Sequence, residues 1–82
     1  MKNPEKEQTY QAFLDGYLVA EYNTSSDVFA EDKCYEALKK RLKNYPSSID
    51  PIDVKIECDG QRIFYEVLVY NFDEEQWVLR CI

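Results

Sequence analysis

Thr9-Tyr10-Gln11-Ala12-Phe13-Leu14-Asp15-Gly16-Tyr17-Leu18-Val19-Ala20-Glu21-Tyr22 is the stretch whose reading decides the fold of this 82-residue chain. Its apolar residues at Tyr10, Phe13, Leu14, Tyr17, Leu18 and Tyr22 follow the i, i+3, i+4, i+7, i+8 spacing of a helix with one buried stripe. Upstream, Asn3 suits an N-cap, Pro4 suits the first helical position, and Glu5 and Glu7 suit the positive end of a helix dipole. Two residues argue the other way. Gly16 costs about 1 kcal/mol inside a helix, and Asp15-Gly16 is also the two-residue turn of a hairpin that would pair Thr9 to Leu14 with Tyr17 to Tyr22. Helical spacing on both flanks of the glycine makes the helix the expectation.

Downstream the signals are plainer. After the polar break Asn23 to Ser26, Ser26 or Asp27 can cap a second helix, with Glu31 and Asp32 early and Lys39, Lys40, Arg41 and Lys43 late, in the order the dipole favours. Its buried face is expected at Val28, Tyr35, Leu38, Leu42 and Tyr45, with Cys34 and Ala37 beside it, and Pro46 stops it. Ile52, Val54, Ile56 and Cys58 then alternate with Asp53, Lys55 and Glu57, which is a strand with one dry and one wet face. Asp59-Gly60 closes a type I′ hairpin. A regular two-residue loop sets Cys58 opposite Gln61, Glu57 opposite Arg62, Ile56 opposite Ile63, Val54 opposite Tyr65 and Ile52 opposite Val67. Asn71 to Glu75 reads as a polar turn, and Gln76 to Ile82 as a third strand antiparallel to the second. The expected fold is therefore α+β: a single domain in which two N-terminal helices pack on one face of a three-stranded antiparallel sheet.

Composition restricts the chemistry. There is no His, which removes the commonest general base and metal ligand. Cys34, Cys58 and Cys81 are scattered, with no CxxC spacing, and read as core packing in a reducing compartment, so no metal is expected. Two glycines cannot build a phosphate cradle, and neither a P-loop nor a GxSxG motif occurs, so no cofactor and no enzymatic activity are expected. No apolar run reaches the roughly 18 residues of a membrane span, and the first residues lack the apolar core of a secretory signal, so the chain reads as cytosolic.

Charge and aromatic content carry what functional signal there is. The net charge is −6, with 10 Lys plus Arg against 16 Asp plus Glu, so direct nucleic-acid binding is not expected. Residues 33–43 hold five cations and one carboxylate, an island of positive charge in an acidic chain. In the expected register Phe64, Leu68, Tyr70 and Val78 fall on the sheet face away from the helices. An apolar patch there would mark an interface. Asp53 and Glu66, set opposite each other, and Asp73, Glu74 and Glu75 in the turn would form its acidic rim. The expectation is a non-catalytic protein-binding module, of inhibitor or immunity type, that uses those nine residues on a basic or neutral partner surface. One alternative is an acidic inhibitor of a nucleic-acid enzyme, imitating the charge of DNA as small phage-type inhibitors do. The other is a homodimer joined through the same sheet face.

Overall fold

Asp15-Gly16 is a turn, and the first expected helix is a hairpin. In the computed structural model, which describes residues 7–80, Asp15 and Gly16 take φ of 53° and 85°. Strand β1, Gln8–Leu14, runs into strand β2, Tyr17–Thr24. The helical spacing misled because Phe13 and Val19 interrupt an otherwise alternating pattern. Tyr10, Ala12 and Leu14 are buried while Gln11 and Phe13 lie on the other face. A bulge then lets the partner strand match that set: Leu14 pairs Tyr17 and Phe13 pairs Leu18, Val19 is passed over, and Ala12 pairs Ala20 and Tyr10 pairs Tyr22. The expected cap residues Asn3, Pro4 and Glu5 lie outside the described residues.

One helix, α1 (Asp27–Lys43), follows, its N-terminus capped by Ser26, whose Oγ accepts a hydrogen bond from the Phe29 N–H at 3.3 Å. Asp27 in its first turn and Lys40, Arg41 and Lys43 in its last complement the dipole. Its inner face is Ala30, Cys34 and Leu38 rather than the face centred on Tyr35, and Val28 is 69% exposed. Small residues there let the helix lie close on the sheet.

Strands β3 (Ile52–Cys58), β4 (Gln61–Asn71) and β5 (Gln76–Leu79) complete a five-stranded antiparallel sheet in the order β2-β1-β3-β4-β5. This replaces the expected two helices on three strands. The helix lies over β1 and β2, touches β3 and β5, and does not sit over β4. Among the described residues no helix is long and apolar enough to cross a membrane.

The two hairpins repeat one design. Asp59 and Gly60 have φ of 50° and 85°, almost the values at Asp15 and Gly16. Here too the third residue after the turn is passed over: Cys58 pairs Gln61 and Glu57 pairs Arg62 as expected, but Ile63 bulges and Ile56 pairs Phe64. The hairpins join antiparallel through β1 and β3, with Ala12 opposite Ile56. Each turn then donates to the other hairpin, Asp15 N–H to the Asp53 carbonyl at 2.7 Å and Asp59 N–H to the Thr9 carbonyl at 2.8 Å. The Asp59 carboxylate also accepts from the Thr9 N–H at 2.9 Å.

The bulge at Ile63 overturns the expected facing of β4. A shift of one residue exchanges the two faces of a strand. Val54 therefore opposes Glu66 rather than Tyr65, and Ile52 opposes Leu68 rather than Val67. Phe64, Leu68 and Tyr70 turn to the helix side, while Tyr65, Val67 and Val69 take the other face.

Two phenols report on this packing. Tyr10 has its pKa pushed up to about 12, first by burial, then by a hydrogen bond to and the charge of Cys58, with Asp27 and Glu31 adding to it. Tyr45 is raised chiefly by the hydrogen bond its hydroxyl donates to Asp15 Oδ2 at 2.7 Å, and further by burial. The folded chain holds these protons more tightly than the unfolded chain, whose tyrosines ionise near pH 10. For Tyr10 the associated stability is complete below that pH and is lost as pH rises toward about 12. In an alkaline absorbance titration, Tyr10→Phe and Tyr45→Phe are each expected to remove one late-ionising phenol. A titration curve that neither substitution alters contradicts the assignment.

Candidate functional site

The nine residues expected to bind a partner do not form one surface. Phe64, Glu66 and Tyr70 lie half-buried on the helix side, and Leu68, only 6% exposed, belongs to the core. Val78 pairs Val69 on the opposite face, and Asp53 pairs Val67 there, so Asp53 and Glu66 stand on opposite sides of the sheet. Asp73, Glu74 and Glu75 are exposed in the β4–β5 turn, as expected. That turn is built locally: Asn71 Oδ1 accepts from the N–H groups of Asp73 and Glu74 at 2.9 and 3.0 Å. Gln76 Nε2 donates to Glu74 Oε1 at 3.0 Å.

The face away from the helix is not a continuous apolar patch. Its central strand presents Asp53, Lys55 and Glu57, with Lys55 Nζ 3.1 Å from Glu57 Oε2. The aromatic rings on either side carry cations, Lys55 over Phe13 at 5.0 Å and Arg62 over Tyr65 at 4.5 Å. Long charged stems cover these rings and leave the face amphipathic.

A concave feature flanked by aromatic rings lies on the other side, where α1 stops short of β4. A cleft of about 430 Å³ lies between Lys39, Leu42 and Lys43 of the helix and Tyr70, Glu75, Gln76 and Trp77 of the hairpin. Tyr70 and Trp77 in its lining belong to a row of rings in edge-to-face contact: Tyr45 on Trp77 at 6.1 Å, Trp77 on Tyr70 at 5.3 Å, and Tyr70 on Phe72 at 4.9 Å. Trp77 Nε1 donates to the Tyr45 carbonyl at 3.5 Å, which ties the loop after α1 to β5. Farther along the helix Tyr35 meets Phe64 edge-on at 5.6 Å, and Lys39 Nζ rests 5.4 Å above the Tyr35 ring.

Of the expected residues, the cleft gathers Tyr70 and Glu75, while Phe64 lines a separate hollow with Tyr35. It adds Lys39, Leu42, Lys43, Gln76 and Trp77. The missed signal was the one-residue bulge, which brings Tyr70 to the helix side of the sheet, beside Trp77.

Burial and then the Glu31 carboxylate push the Cys34 thiol up, which keeps it protonated and packed as a small apolar group. Among the described residues no group of three or more His, Cys, Asp or Glu side chains could hold a metal ion. No protein-family model matches the chain, and neither the curated proteins nor the solved structures include a match to it.

Proposed function

We propose that this chain is a non-catalytic protein-binding module whose binding site is the cleft between α1 and the β4–β5 hairpin. The observation that carries the reading is the row Tyr45, Trp77, Tyr70 and Phe72, four rings left partly or largely exposed beside a cavity of about 430 Å³. Half-exposed Tyr and Trp, rigid and amphipathic, are the residues that most often anchor protein interfaces. Lys39, Lys43 and Glu75 at the rim supply charge that orients a partner without being buried themselves.

The test is photo-cross-linking in the source cells, with p-benzoylphenylalanine placed at Tyr70 in one variant and at Glu21 in another. Glu21 is exposed and pairs Gln11, on the sheet face away from the helix. Specific adducts are expected from position 70 and not from position 21. Absence of adducts at position 70, or equal adducts at both, defeats the assignment of the cleft.

A further inference from the structure

We infer that the occupant of this cleft is a second copy of the chain, with the Phe72–Glu75 turn of each copy lying against Lys39 and Lys43 of the other; this rests on the cleft being the binding site. An interface between identical chains related by a two-fold axis must be self-complementary, each patch meeting the patch it pairs with on the other copy. This end of the molecule has that property. Lys39 and Lys43 line the cleft from the helix and Glu75 lines it from the hairpin, with Asp73 and Glu74 exposed in the adjoining turn. Lys39, Lys43 and Glu75 line the same cleft, yet the one ion pair within 4.0 Å among the described residues is Lys55 with Glu57, at the far face. A two-fold axis through the ring row sets each cationic edge on the partner's acidic turn.

Two further observations favour the same occupant. Phe72, at the head of the turn, is 57% exposed while its ring is held edge-on against Tyr70, so a large apolar group is presented rather than tucked away. At −6 the chain repels its own copy over most of its surface. At the cleft, Lys39 and Lys43 stand beside Glu75 and offset part of that charge locally.

Sedimentation of the full chain reads the proposal directly. At tens of micromolar and low salt the wild type is expected at twice its 9.8 kDa mass, moving toward monomer at roughly 0.5 M salt as screening weakens the cross-pairs. The double variants Lys39→Glu/Lys43→Glu and Asp73→Lys/Glu74→Lys should each raise the dissociation constant about tenfold or more. Mixing the two should restore a dimer, because each now carries the charge the other lacks. The neutral pairs Lys39→Gln/Lys43→Gln and Asp73→Asn/Glu74→Gln, with an unchanged far-ultraviolet circular dichroism spectrum and an unchanged denaturation midpoint of the monomer, separate lost association from lost folding.

A monomeric wild type overturns the inference, as does a dimer that survives in either charge variant alone or a mixture that stays monomeric. If the wild type is monomeric while position 70 still cross-links to a different protein, the cleft stands and the second copy falls. If position 70 yields no adduct of either kind, both fall.

Discussion

Leu14→Ala is expected to cost about 2–5 kcal/mol in equilibrium denaturation, whereas Phe13→Ala, one position away and on a larger side chain, should cost about 1 kcal/mol or less. Leu14 is 1% exposed and opposes Val54 in the core, while Phe13 opposes Lys55 on the wet face and stacks beneath its ammonium. A chain of this length has roughly 4–12 kcal/mol of stability in all, so the Leu14 change alone can take the protein to the edge of folding. The contrast also discriminates between the two readings of residues 9–22. In a helix Phe13 and Leu14 would share the buried stripe and lose comparable amounts. Comparable losses would therefore contradict the strand.

Leu68→Ala should likewise cost about 2–5 kcal/mol, against about 1 kcal/mol or less for Val69→Ala. Leu68 opposes Ile52 on the helix side and is buried, while Val69 and Val78 pair on the other face. A hairpin without the bulge would turn Leu68 outward and Val67 and Val69 inward, and the ranking would reverse. Removing Ile63 sharpens the comparison, since it leaves Arg62 opposite Glu57 and Phe64 opposite Ile56 in a regular ladder. The same buried set is then expected, with Leu68 still the sensitive position.

These two pairs of residues show where the sequence could and could not be read. The Asp59-Gly60 turn, the Ser26 cap, the span of α1 and the alternation in β3 were all legible, because each is decided within a few residues. A positive φ at Asp-Gly or a hydroxyl facing an orphan N–H needs no distant partner. The error at residues 9–22 had a different origin. An isolated two-stranded hairpin is marginal, and so is an amphipathic helix with nothing to cover it. What decides between them is β3, whose Val54, Ile56 and Cys58 offer an edge to Leu14, Ala12 and Tyr10. The expected site residues are dispersed over both faces for a related reason. Tyr70 and Glu75 were named, but Lys39, Leu42 and Trp77 could join them only once β4 had exchanged its faces and the helix had settled over β1 and β2.

By itself, then, the sequence determined the Asp59-Gly60 turn, the capped helix at 27–43, the existence of β3, β4 and β5, and an acidic chain with one cationic stretch at 33–43. Tertiary structure alone decided that residues 8–24 are strands, which face of β4 is dry, and where the aromatic surplus collects. The physical reason is range. Turn and cap energies are local, whereas a bulge is selected by how well apolar sets match across strands far apart in the chain. One passed-over residue in each hairpin moves every later side chain to the opposite face.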